Sequence, residues 1–291
     1  MAIVSSQIRI IVLNYNGAAL LPQCLPSIVT AAQRAQLKTE TTILDNLSTD
    51  AGLDYVASAF PEVTVVRAAQ NKVLCSYNDY LRQIEEPVVI LLNNDIRVDP
   101  GFVNPLVRKF AEDSRTFLVA PRVMSFDGTR VEAGRSKAGI RFGIFWCKAR
   151  YPGYETEAFD PSSTCSSGFG AFSKKGFLEL GGYDERYLPG IMEDVDLCYR
   201  AQKRGYHLYY EPQSVIFHIG QASFKKAFGE AKMSEVAHRN NFLFMWKNFS
   251  GFQFYFSHIF FLPLRLLWAA LKGNRAFVRG FWNALQLERK K

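Results

Sequence analysis

Val88-Val89-Ile90-Leu91-Leu92-Asn93-Asn94-Asp95 runs from five apolar residues into three polar ones. A short, wholly apolar run with a polar end reads as a buried strand followed by a turn. The same unit recurs upstream. Gln7 to Leu13 alternates, becomes apolar, and ends in Asn14-Tyr15-Asn16-Gly17. Thr41 to Leu44 ends in Asp45-Asn46-Leu47-Ser48-Thr49-Asp50, a turn able to cap the next helix. Val63 to Val66 is the third strand of the series. Helical patterns lie between, at 18–35 with Leu20, Leu21, Leu25, Ile28 and Val29 on one face, and around 76–83. Strands alternating with helices predict an α/β fold, with a mostly parallel central sheet covered on both faces.

Ligands of such sheets bind beyond the carboxyl ends of the strands. Three strands deliver polar residues there: Asn14 and Tyr15, Asp45, and Asn93 with Asp95. A polar ligand site on that rim is the expectation. Neither G-x-x-x-x-G-K-[ST] nor a G-x-G-x-x-G after the first strand is present. That disfavours a P-loop enzyme and an ordinary dinucleotide dehydrogenase, and a metal is expected to hold any phosphates.

The second half is patterned differently. Phe117 to Phe126 reads as a strand, 127–163 as loops and short strands, and Ser166 to Phe172 as a strand with close backbone approach at its glycines. Lys174 to Leu180 reads as a short helix, and Tyr206–Tyr210 and Val215–Phe217 as two separate strands. Between them lie Gly181-Gly182-Tyr183-Asp184-Glu185-Arg186-Tyr187 and Glu193-Asp194-Val195-Asp196-Leu197-Cys198-Tyr199-Arg200, where a glycine turn enters a helix ended by Gly205. Carboxylates in a first helical turn favour the helix on their own, because they face the positive end of its dipole. Asp184 and Asp196 are read in that structural way, capping or pairing with Arg186 or Arg200. A long helix is expected from Gly229 through Trp246.

The chain has 291 residues, 48% hydrophobic, and a net charge of +8. That composition supports a packed core and argues against disorder. Five scattered cysteines without a C-x-x-C pair fit a reducing, cytoplasmic setting. The apolar run Ile10–Leu13 is too short for a signal peptide or a span. Residues 247–291 hold eight Lys or Arg against Glu288 alone, leaving about +1 for everything before them. Phe260, Phe261, Leu264, Leu267, Trp268 and Leu271 fall there at helical spacing, interrupted by Pro263 and Arg265, and Lys272, Arg275 and Arg279 can share one face. A basic aromatic helix of this kind suits the inner face of the cell membrane as a peripheral attachment, or packing on the body or on a second subunit. Nucleic acid is not the expected partner.

In their joint order these pieces resemble the inverting glycosyltransferases of family 2, which have the GT-A fold, and among them the bacterial rhamnosyltransferase-like members. The similarity covers roughly residues 8–247. Its motifs are Val12 to Gly17, Asp45-Asn46 with Ser48-Thr49-Asp50, Leu91 to Asp95, Ser167-Gly168, Gly181 to Glu185, Glu193 to Leu197, His218 and Arg239-Asn240. The resemblance implies a GT-A domain over 1–228 and a basic, aromatic helical segment over 229–291. It implies a nucleotide-sugar site of Asn14, Tyr15, Asp45, Asn93, Asn94 and Asp95, with Asp45 facing the base. Asp95 and His218 would hold a divalent metal (Mn or Mg), Asp194 would be the catalytic base, and Gly168 and Glu193 would lie on the acceptor side. The implied partners are a nucleoside-diphosphate sugar donor, with thymidine-diphosphate rhamnose as the first candidate, and a glycan or lipid-linked acceptor of surface polysaccharide assembly. A non-catalytic sugar-nucleotide-binding or scaffolding module of the same fold is the alternative.

One departure stands out. Where the family shows a glycine-rich Asn-x-Gly-Phe-x-x-Gly-Asn-like stretch, this chain reads Asn71-Lys72-Val73-Leu74-Cys75-Ser76-Tyr77-Asn78. For Asp194, like charges on Glu193 and Asp196 are expected to raise its proton affinity and the helix dipole to lower it.

Overall fold

The computed structural model describes residues 7–154, 166–219 and 222–290, with the side chains of 222–228 excepted. Its first part is the expected alternation: β1 (Ile8–Asn14), α1 (Leu21–Gln33), β2 (Thr39–Asp45), α2 (Gly52–Ala59), β3 (Thr64–Arg67), α3 (Ser76–Tyr80) and β4 (Val88–Asn93). Then follow β5 (Ile96–Val98), α4 (Val103–Glu112), β6 (Thr116–Ser125), β7 (Val131–Ala133), and a separate hairpin of β8 (Lys137–Arg141) and β9 (Ile144–Lys148). β10 (Gly170–Ser173), α5 (Lys174–Glu179), α6 (Glu193–Lys203) and β11 (His207–His218) complete the body. α7 (Ala222–Asn248), α8 (Phe252–Leu271) and α9 (Arg275–Glu288) close the chain.

The strands lie in the order β3-β2-β1-β4-β10-β6-β11-β5, with β7 on β6. The β3-β2-β1-β4 half is wholly parallel, while the other half is mixed: β10 runs antiparallel to both β4 and β6. β10 can slot in there because Gly170, at φ +131, lies against the Val119 carbonyl, where a Cβ would collide. The two strands expected at 206–210 and 215–217 are one, β11. It pairs in parallel with β6 on both sides of an irregularity between Glu211 and Val215.

β1 and β4 are buried on both faces, and two apolar clusters sandwich the sheet. One, under α1 and α4, contains Ile10, Val12, Ile90 and Leu92. The other, under α3, α5 and α6, contains Ile11, Leu91, Phe172 and Leu197. A third cluster joins Phe145, Tyr187 and Met192 of the body to Phe242, Phe244, Phe277 and Phe281 of α7 and α9. The C-terminal helices are therefore packed on the body along their inner sides.

The long helix expected from Gly229 through Trp246 is found: α7 is regular after Gly229, whose φ of 72 breaks the helix. Two other expectations for this segment change. Pro263 and Arg265, expected to interrupt a spanning segment, leave α8 continuous over 20 residues and long and apolar enough to cross a membrane. Gly273, at φ +70, separates Lys272 from α9, so Lys272 does not share a helix face with Arg275 and Arg279.

Candidate active site

The carboxyl ends of β1, β2 and β4 meet at one rim, in register Asn14 beside Asp45 and Leu13 beside Asn93. Asn14 is fully buried there. Its amide nitrogen donates to Asp45 Oδ1 (3.0 Å) and Ser48 Oγ (3.1 Å), and its carbonyl accepts from Asn94 Nδ2 (2.8 Å). Gly17 is required beside them: a Cβ would collide with the Asn14 side chain and stand 2.6 Å from Asn94 Nδ2.

Asp45, the residue expected to face the base, lies at this rim. It is fully buried, and its oxygens accept from Asn14, from the Ser48 hydroxyl (2.5 Å) and from the Ser48 backbone N–H (3.0 Å), with Arg67 3.7 Å away. Those three hydrogen bonds fix Asp45 at the rim. The neighbouring Asn46 has the open valence instead. Its amide nitrogen donates to the Val73 carbonyl (3.2 Å), and its buried Oδ1 has no partner. Tyr15 is half exposed on the same rim.

Val73 stands at the first of the two missing glycines; the second is Tyr77, buried in α3. Val73 sits at φ +51, in the left-handed region that a glycine would occupy. The turn is kept with a β-branched residue, at a strain of about 1–2 kcal/mol. Asn71 Oδ1 caps the Val73 N–H (3.1 Å), and Lys72 is tied to Glu185 (2.9 Å).

Asn93 ends β4, and Asn94 and Asp95 follow it in the turn to β5. Asp95 is nearly buried; its Oδ2 lies 3.3 Å from His218 Nε2 at the end of β11, and its Oδ1 has no partner. The structure thus brings the two expected metal ligands together. Among the described residues, no cluster of three or more His, Cys, Asp or Glu side chains suited to a metal is present.

Asp194 lies in the first turn of α6, mostly enclosed, with its Oδ2 accepting from the Ser166 hydroxyl (3.0 Å). A Cβ on Gly168 would stand 3.9 Å from that same oxygen. The next residue, Phe169, packs its ring on His218 at 5.1 Å. Two consecutive residues therefore touch the Asp194 end and the Asp95–His218 end of one site.

Burial raises the proton affinity of Asp194, and the Ser166 hydrogen bond opposes it. Burial, not the like charges of Glu193 and Asp196 expected from the sequence, is what raises Asp194. Asp196 is on another face of α6, fully buried, and neutralised by Arg200 (2.7 Å) and Lys247 (2.8 Å), with Tyr187 and Asn248 donating to it. Asp184 is likewise structural, capping the Arg186 N–H and pairing with Arg186 and Lys247. Glu193 is raised as well: burial, then the charge of Asp194, pushes it up to about 8. It is 6% exposed, and its buried Oε2 has no partner.

α6 is entered through Ile191 (φ +73) and Met192 (φ +84), two left-handed residues in a row. Asn240 of α7 holds that entry: its buried amide nitrogen donates to the carbonyls of Tyr187 (2.6 Å), Gly190 (2.8 Å) and Ile191 (2.8 Å). Arg239 adds a bond to the Leu188 carbonyl (2.5 Å). Sequence reasoning found Arg239-Asn240 without a role for it and missed Ser166, for which the sequence carries no local signal.

The model of the glycosyl transferase family 2 domain matches residues 9–181. The chain belongs to that family. It is a glycosyltransferase, and its fold is GT-A. It is 24% identical over 268 residues to the N-acetylglucosaminyl-diphospho-decaprenol L-rhamnosyltransferase of Mycobacterium tuberculosis, covering 83% of this chain and 85% of that one. A pre-mycofactocin glycosyltransferase of the same organism is 29% identical over 45% of this chain and 26% of its own. Among solved structures, GalNAc-T7 with UDP, GalNAc and Mn2+ aligns at a TM-score of 0.60 and 17% identity, over 83% of this chain and 48% of that chain, so this chain spans about half its length. The mannosyltransferase PcManGT of Pyrobaculum calidifontis, with GDP-Man and Mn2+, aligns at 0.54 and 14% identity, over 95% of this chain and 73% of its own.

Proposed function

We propose that this glycosyltransferase is inverting and metal-dependent, and moves a sugar from a nucleoside-diphosphate sugar to a lipid-linked glycan at the inner face of the cell membrane, in surface polysaccharide assembly. The observation that carries this is Asp194, a carboxylate of raised proton affinity fixed by Ser166 at one end of the Gly168–Phe169 bridge, with Asp95 and His218 at the other. A sugar held between the two ends would have its leaving diphosphate on one side and the base on the other, which is the arrangement for in-line attack and inversion.

The protein's own residues take these parts. Tyr15 offers an exposed ring to the nucleoside, and the unpaired Oδ1 of Asn46 accepts from an N–H of the base. Asp194 takes the proton of the acceptor hydroxyl as that oxygen attacks the anomeric carbon. Glu193 stays protonated at neutral pH, so the pair carries a single negative charge. The unpaired, buried Asp95 Oδ1 and the facing imidazole fit a divalent cation held by few protein donors, the remaining ligands being oxygens of the donor. Bound there, such an ion would stabilise charge on the leaving diphosphate. Rhamnose is the proposed sugar, supported by the activity named for the mycobacterial relative.

α8 supports the membrane location. It is long and apolar enough to cross a membrane by length and composition, with a mean hydropathy of 1.4. However, Phe254, His258 and Ala269 on its inner side are buried against the body. A helix held to a folded domain at these three positions, with its other face exposed, suits the interface better than a span.

Thermal shifts with nucleoside diphosphates test the donor site. We expect manganese to enhance stabilisation by thymidine diphosphate, and Asp95→Ala to abolish that enhancement. An unchanged manganese effect in Asp95→Ala would refute the assignment.

A further inference from the structure

The β8–β9 hairpin stands apart from the main sheet, and its turn is unusual. Phe142 (φ +50) and Gly143 (φ +69) are both left-handed, as in a tight hairpin turn whose first central position favours Asn or Gly. A phenylalanine there is strained, and this one is half exposed to solvent. The turn is also locked in place. A Cβ on Gly143 would collide with the α8 backbone at His258, and His258 Nδ1 donates to the Gly143 carbonyl (2.7 Å) while its Nε2 accepts from Trp246 (3.1 Å). The strained aromatic is thereby held against α8.

From Phe142 an aromatic ladder runs onto the outer face of that helix. Ring centroids are 5.1 Å apart for Phe142–Phe261, 5.0 Å for Phe261–Phe260, 6.2 Å for Phe260–Phe256 and 5.9 Å for Phe256–Phe252. Phe252, Phe256 and Phe260 are 80%, 62% and 56% exposed. Two guanidinium groups flank the apex: Arg141 and Arg265 lie 5.2 and 5.9 Å from the Phe142 ring, and Arg265 donates to the Arg141 carbonyl (3.2 Å). Neither has a carboxylate partner among the described residues. Their mutual repulsion and the burial of Arg265 both disfavour its charge, so an anion placed between them would be welcome.

We propose that the hairpin apex and the outer face of α8 form one two-element seat on an anionic phospholipid surface, with Arg141 and Arg265 clamping a lipid phosphate and Phe142 entering the interface. The occupant follows from charge and shape: two unpaired cations set within a broad apolar face match phosphates above acyl chains. The seat rests on the membrane location proposed above and deepens it. It also links that surface to the chemistry, because β8 leads from Ser136, whose hydroxyl accepts from the Ser166 N–H (3.0 Å), and Ser166 holds Asp194. Six residues of strand span at most about 20 Å, which sets how far above the phosphates a lipid-linked acceptor would meet the base.

The test is flotation of the full chain with mixed phosphatidylglycerol–phosphatidylcholine vesicles and with pure phosphatidylcholine vesicles. Phe142→Asn suits the turn better than phenylalanine and should keep or raise the melting temperature. We expect it to weaken binding to the mixed vesicles about tenfold. Arg141→Gln with Arg265→Gln should weaken it about thirtyfold, from roughly fivefold per cation, and leave the weak binding to phosphatidylcholine unchanged. If the parent binds the mixed vesicles and both variants bind equally well, the two-element seat is wrong while the membrane location stands. If the parent binds neither vesicle, both fall. A parent dimer that Phe142→Asn dissociates, without vesicle binding, would overturn the seat and give the face to a second copy.

Discussion

Replacing Asn240 by alanine removes the clamp on the entry to α6, and its cost follows from the hydrogen bonds. The Asn240 amide nitrogen has two hydrogens and faces three carbonyls, so two full bonds and one shared bond are lost. At about 1 kcal/mol net per bond, with about 1 kcal/mol more for carbonyls left dry, the loss is about 3 kcal/mol. Relaxation of Ile191 and Met192 out of the left-handed region would return about 1 kcal/mol of strain. The expected change is therefore about 2 kcal/mol, read as a lowered urea midpoint at unchanged slope. Glu193 and Asp194 follow that entry directly, so turnover should fall as well. Asn240→Asp, which sets an acceptor against three carbonyls, should be at least as damaging. A loss below about 0.5 kcal/mol for Asn240→Ala would show that the left-handed entry stands without the clamp, and would refute this account of it.

Val73→Gly should stabilise the protein by about 0.5–1 kcal/mol, because relief of left-handed strain exceeds the entropy that glycine adds to the unfolded chain; a destabilised variant in urea titration would show that Val73 packing outweighs its backbone strain. Glu193 gives a pH signature. Its carboxyl rises from 4.5 to about 8 on folding, so between those values the folded state binds more protons than the unfolded, and stability contributed by this group is present at low pH and lost as pH rises toward about 8. Glu193→Gln should flatten that fall, gaining most over the parent near pH 8. Parallel stability curves for parent and variant would contradict the assignment.

Much of the fold was legible because the strands of the parallel half are apolar runs that end in polar turns, and a run like Val88–Leu92 has few other readings. The second half was less so. Glu211-Pro212-Gln213-Ser214 looks like a loop, yet β11 continues through it, because Glu211 is satisfied by Arg108 (3.3 Å) and the Gln213 N–H (3.0 Å). The helical spacing of α8 was readable, but Pro263 and Arg265 made its apolar stretch look shorter than it is. At the site, sequence order brought Asp95, His218 and Asp194 to one place but could not separate residues that present atoms from residues that hold others. Asp45 and Asn14 spend their polar atoms on each other and on Ser48 and Asn94, leaving Asn46 with the open valence. That distinction depends on hydrogen-bond partners, which spacing does not specify. The structural roles of Asp184, which caps and pairs, and Asp196, which pairs, were readable, since each has its arginine two or four residues on.

The role of Asp194 as base is tested most directly by comparing Asp194→Asn with the parent in two measurements on the same protein: transfer from a nucleoside-diphosphate sugar to acceptor, and affinity for the nucleoside diphosphate. The substitution keeps the shape and the contact with Ser166 while removing the proton acceptor. The account predicts a fall in transfer of about 10²–10⁴ with unchanged nucleotide affinity. Transfer retained within about threefold of the parent would contradict it and move the base elsewhere.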